Sequence, residues 1–114
     1  MTIQEQLQSV LTGLAAGGAW SQLAAQGTVA PYIVWSGVVS AINNNLLGAS
    51  DVQNTRFQID AYATSYAGAR TLAAAVVAAM KAASFANVQI SDQDMYEPDT
   101  KLFRVSMDFS VWSA

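Results

Sequence analysis

Neither cysteine nor histidine occurs anywhere in the 114 residues. Without cysteine there is no disulfide framework and no thiolate metal site. Without histidine the chain lacks the commonest metal ligand, the commonest general base and the usual pH switch. Charge is also scarce, at 11% of the residues, against about 25% in ordinary globular proteins. A surface this thin in charge is expected to be covered in part by partners. The five basic residues, Arg56, Arg70, Lys81, Lys101 and Arg104, are scattered, whereas a nucleic-acid binder carries a basic cluster. Eight acids bring the net charge to −3, a sign that repels phosphate and suits a surface that DNA slides past without sticking. The longest apolar helical run, residues 72–80, falls well short of the roughly 20 residues of a membrane span. The opening MTIQEQLQ lacks the basic-then-apolar layout of a signal peptide. The chain is therefore expected to stay inside a cell, or in a particle assembled there.

Hydrophobic residues, by contrast, make up 53% of the chain. The length predicts a single domain over residues 1–114. Thr2 and Glu5 form a T-x-x-E capping box. Ile3, Leu7, Val10, Leu11 and Leu14 follow at helical spacing, so the first helix is expected over 3–16, stopped by Gly17 and Gly18. AWSQLAAQ, residues 19–26, reads as a short strand followed by a loop. YIVWSGVVSA, residues 32–41, is rich in β-branched and aromatic residues and reads as a strand, with a bulge at Gly37. INNNLLGASD, residues 42–51, reads as a loop on its asparagines and Gly48. Residues 52–62 alternate, with Phe57, Ile59 and Ala61 on one side and Arg56, Gln58, Asp60 and Tyr62 on the other. Thr64 or Ser65 caps an alanine-rich helix over 66–83. Residues 87–95 and 102–112, joined by the turn EPDTK, read as a hairpin. The expected fold is α+β in the order α-β-β-β-α-β-β. It has a mixed or antiparallel sheet of four to five strands, with two helices packed on one face.

No constellation in this order carries chemistry. Serines and threonines are plentiful, but a nucleophile needs a base. Lys81 and Lys101 stand in no S-x-x-K frame, and no G-x-S-x-G elbow occurs. No catalytic residue and no enzyme activity are expected. Asp92, Asp94, Glu97 and Asp99 lie close in sequence, but a calcium loop needs a glycine where this stretch has Pro98. They read as a solvated turn, and no metal is expected. GLAAGG, residues 13–18, sits at a helix C-terminus, where the dipole repels anions. No cofactor is expected.

Contact surfaces are the better candidates. Tyr62 and Trp112 fall on the polar sides of their strands, where aromatic residues mark interfaces or pack amphipathically at a sheet edge. Arg56, Asp60 and Asp108 alternate on the same outer sides. They are either solvated charges of little worth or pairs that fix a contact with a neighbouring subunit. Leu46 and Leu47, inside the asparagine-rich stretch, are tucked against the domain or offered to a neighbour. A reading of another class is a small-ligand-binding α+β module with Trp35 and Tyr62 lining an apolar pocket.

Three blocks carry a family likeness. They are APYIVW at 30–35, RFQIDAYATSY at 56–66 leading into the alanine-rich helix with Arg70, and FRVSMDFSVW at 103–112. Together with the first helix they span nearly the whole chain, and the middle block is the most specific. In this arrangement the chain resembles the small tail-completion proteins, or tail terminators, of long-tailed phages and related gene-transfer particles. The resemblance implies a non-enzymatic virion protein of the tail or neck. It would form a homo-oligomeric six-fold ring that caps the tail tube. The partners implied are the major tail tube protein on one side and a head-completion or stopper protein on the other. DNA would pass through the lumen without sequence-specific binding, and no membrane is involved. A head-side neck stopper or adaptor is the neighbouring alternative, and the middle block favours the tail side.

Overall fold

The computed structural model of the chain describes residues 2–24, 27–45 and 48–113, with side chains for all of these except 38–45, 48–53 and 113. The elements in chain order are α1 (Ile3–Leu11), β1 (Ala19–Ser21), β2 (Tyr32–Asn45), β3 (Gly48–Ala63), α2 (Tyr66–Ala82), β4 (Ala86–Glu97) and β5 (Leu102–Ser113). The expected order α-β-β-β-α-β-β is the observed one, and the fold class is α+β.

α1 begins at the capping box. The Glu5 amide donates to the Thr2 hydroxyl at 3.1 Å, and the Thr2 amide donates to the Glu5 carboxylate at 3.1 Å. Ile3, Leu7 and Leu11 are the buried stripe, one per turn. The helix stops at Leu11, shorter than the expected 3–16. Thr12 leaves helical geometry at ψ 132° while its hydroxyl and amide both return to the Gln8 carbonyl. Gly13 then takes φ +90°, a conformation that favours glycine. Gly17 has a different task from the helix stop expected of it. Its amide donates to the Pro31 carbonyl at 2.7 Å. A Cβ at Gly17 would run into the carbonyl oxygens of Val29 and Pro31.

α2 starts at Ser65, whose hydroxyl accepts from the Gly68 amide at 3.0 Å. Its buried stripe is Ala69, Leu72, Ala73, Val76 and Met80. Three of the five are no larger than valine, so the helix lies close to the sheet.

The five strands form one sheet in the order β1-β2-β3-β5-β4. β1 pairs parallel with β2, and the other three pairings are antiparallel. The register shifts at Gly37, as the bulge expectation required, and again near residue 43 and near Ile90. Residues 42–45 and 48–51 are strand, not the expected loop. The β2–β3 ladder runs out to Asn45 opposite Gly48. Backbone pairing with the facing strand overrides the turn preference of asparagine, because ladder hydrogen bonds use no side chain. Leu46 and Leu47 lie outside the described residues.

Both helices cover one face of the sheet. Their stripes join Ile33 and Trp35 of β2, Phe57, Ile59 and Ala61 of β3, and Val105, Met107, Phe109 and Val111 of β5 in one core. Gln8 stitches α1 to the sheet, accepting from the Trp35 indole at 2.7 Å and donating to the Ala19 carbonyl at 2.9 Å. The β2–β3 hairpin outruns its neighbour, since β3 meets β5 no further than Gln53 opposite Ser113. The molecule is accordingly elongated, 52 × 25 × 24 Å. Its radius of gyration is 14.9 Å, where a chain of this length would be about 13 Å if compact.

Candidate interaction surface

Among the described residues, no helix lies on the opposite face of the sheet. Strand alternation puts Tyr32, Val34 and Ser36 of β2 there, beside Asn54, Arg56, Gln58, Asp60 and Tyr62 of β3. Arg104, Ser106, Asp108, Ser110 and Trp112 of β5 continue the row. All five described residues expected to form a contact surface, Arg56, Asp60, Tyr62, Asp108 and Trp112, therefore share this face.

The face divides in two. At the β1 end, residues 22–24, 27 and 28 line a cleft of about 310 Å³ together with Tyr32, Val34, Tyr62 and Glu97. Tyr32 and Tyr62 stack at 4.7 Å. Arg104 is the hub of this half. It donates to the Tyr62 hydroxyl at 3.3 Å and faces the Tyr62 ring at 5.9 Å. It also lies 3.3 Å from Glu97 and 3.9 Å from Asp60. Burial works against the Arg104 charge, but the Tyr62 hydroxyl, Asp60 and Glu97 outweigh it and hold the guanidinium above its ordinary pKa. Burial pushes the Tyr62 and Tyr32 phenols up. Asp60 and Tyr62 are 7% and 9% exposed, so their partners within this chain already cover them. Arg104 read as one of five scattered bases in the sequence. Its place on the same alternating side as Asp108 and Trp112 was the signal that could have singled it out.

The other half is open. Arg56 pairs with Asp108 at 3.1 Å, with side chains 43% and 27% exposed. The pair joins two strands of the same chain, and at this exposure it is worth little to stability. Ser91 donates to the same carboxylate at 3.3 Å, and Asn54 donates to Ser110 at 2.7 Å. Trp112 is half-buried at the end of this row, between Asn54 and Ala86.

Of the acidic stretch, Asp92, Asp94 and Glu97 lie on β4 and Asp99 in the turn that follows. Asp92 and Asp94 both pair with Arg70 of α2, the first at 3.1 Å, and Tyr66 donates to Asp94 at 3.0 Å. Tyr66 and Asp92 hold the Arg70 pKa above its ordinary value. Among the described residues no group of three acids converges on a metal position. Trp35 and Tyr62 stand on opposite faces of the sheet, Trp35 in the core against Phe57 and Tyr62 over the cleft. They do not line one pocket.

Among the described residues, the sheet thus has one face covered by helices and one polar face that is open over one half. The family described as "Tail completion protein gp17" matches residues 4–114. The chain belongs to this family of tail completion proteins. It is a structural, non-enzymatic component of the virion, which assembles with other tail proteins. No curated protein matches the chain. Among solved structures, it is similar to a chain described as "Virion of native gene transfer agent (GTA) particle", at a TM-score of 0.62 and 15% identity. The likeness covers 96% of this chain and 90% of that one, and at this identity it is a likeness of fold. Among the described residues of this tail completion protein, no helix is long and apolar enough to cross a membrane.

Proposed function

We propose that this tail completion protein forms a ring of identical subunits, six in number, that ends the tail tube and joins tail to head. The observation that carries the reading is the family match over residues 4–114. What supports it in the structure is a sheet whose second face is open over one half and whose β4 edge has no strand beside it among the described residues. The ring sits between the major tail tube protein and a head-completion or stopper protein, and DNA passes through it. Arg56, Asp108 and Trp112 on the open half of the bare face, together with Asp60, Tyr62, Leu46 and Leu47, form its contacts with a neighbouring subunit or partner. The net charge of −3 per copy accumulates around the ring and opposes adhesion of DNA.

Electron microscopy of lysates from a deletion of the gene tests this. Filled heads lying apart from tails, with tails of irregular or excessive length, are the expected outcome. Intact particles would overturn the proposal. Normal tails beside heads that leak DNA would move the protein to the head side of the neck.

A further inference from the structure

The two outer strands of the sheet differ in how they end it. Among the described residues, no strand pairs with β4 on its outer side. β2 is covered by β1 only at residues 33–35, with one further bond from the Gln22 amide to the Trp35 carbonyl at 2.6 Å. Among the described residues, no strand pairs with β2 on that side beyond Trp35, so residues 36–45 offer a second open edge.

We propose that neighbouring copies join edge to edge, β4 of one copy pairing antiparallel with residues 36–45 of β2 on the next. The inference rests on the ring reading and specifies its seam.

Open edges of this length are templates for pairing, and proteins that keep an edge free usually blunt it with lysine, proline or a short strand. β4 has twelve residues and contains neither lysine nor proline. Val88 and Ile90 along it are 55% and 50% exposed. Of its three acids, Asp92 and Asp94 are drawn to Arg70 on the helix side, and Glu97 pairs with Arg104. Residues 36–45 read SGVVSAINNN and carry no charge, so the acids of β4 meet no like charge across the seam.

Strand direction agrees. The run β2-β3-β5-β4 is antiparallel at every step, so β4 runs opposite to β2. A ring rotation about an axis along the strands preserves direction, which makes β4 antiparallel to β2 of the next copy. A run of three or five strands would force a parallel seam. The contact is also head-to-tail, two different patches meeting, as ring closure demands.

The register agrees as well. Following the rungs across the sheet, Ser91 lies level with Ser36, and Ala86 level with Ala41. The middle of β4 must therefore slide about four residues toward the hairpin tip to meet the middle of residues 36–45, and a closed barrel requires such a stagger. Four strands and about four residues of stagger per copy keep shear equal to strand number for any number of copies. In an eight-stranded barrel that ratio corresponds to a strand tilt of about 36°, inside the usual range for closed sheets.

The chain has no cysteine, so engineered thiols have no competitors. Ser91→Cys is combined in turn with Val39→Cys, Ser40→Cys, Ala41→Cys and Ile42→Cys, and purified particles are oxidised and run without reductant. Covalent oligomers are expected at alternate β2 positions, because only every second residue shares a face with position 91. Single substitutions should give none. A second measurement needs no variant: amide exchange at 86–97 and 36–45 should slow when the free chain joins the ring. A ring visible by electron microscopy that shows neither cross-links nor slowed exchange overturns the seam and leaves the ring reading standing. Particles with no ring of this chain overturn both.

Discussion

Arg104 shows how much one residue does on the bare face. It is the cation beside Asp60 and Glu97 and the donor to Tyr62. Asp60, 7% exposed, otherwise has the Gln58 amide at 3.2 Å. Removing the guanidinium leaves a buried carboxylate short of its cation, which is strongly destabilising. Arg104→Met should lower stability by about 2–3 kcal/mol in urea unfolding, and adding Asp60→Asn should recover part of that loss. Strictly additive losses would show that the two do not interact. Period-two alternation in the sequence placed Asp60, Tyr62 and Arg104 on one side of their strands. It could not show that the side is covered at the β1 end, because the cover comes from residues 22–24, 27 and 28, distant in sequence and without a periodic pattern. The same limit hid Gly17, whose role depends on the close passage of Val29 and Pro31.

At the scale of elements, what the sequence made legible was whatever rests on local pattern. The T-x-x-E box starts α1, Ser65 starts α2, and the apolar stripes of α2 and β5 are the buried ones. Two ends were not legible: α1 yields at Thr12, which turns back on Gln8 before Gly13, and the asparagine-rich stretch is ladder out to Asn45 through its pairing with β3. The α1 cap makes a pH prediction. The Thr2 amide and hydroxyl hold the Glu5 carboxyl below its ordinary pKa. A depressed carboxyl contributes stability above its unfolded pKa and loses it as pH falls. The wild type should therefore lose more stability than Glu5→Gln as pH drops below 4.5, the ordinary glutamate value, and the two should run parallel above it. Equal acid sensitivity would show that the box adds nothing. In the proposed ring Trp112, half-buried at the end of the open row, serves contact more than the core. Trp112→Ala should cost folding no more than about 1 kcal/mol and assembly at least about 2 kcal/mol, read by thermal melting and by the yield of joined particles. Equal losses would assign Trp112 to packing within the subunit.

At the scale of the molecule, a chain with little charge folds into a sheet that is covered by helices on one face and open over half of the other. Its long hairpin stretches it to 52 Å. The three sequence blocks carried the family likeness because they are the central strands and the main helix, whose alternation and capping are local. How copies meet was not legible, since an open edge shows only after every strand has its neighbours. The most direct test is cryo-electron microscopy of the joint between tail and head in intact particles. The expected result is a single ring of this chain closing the end of the tail tube, its sheets continuous from copy to copy. Density for the chain elsewhere on the particle, or absent from the joint, would contradict the account.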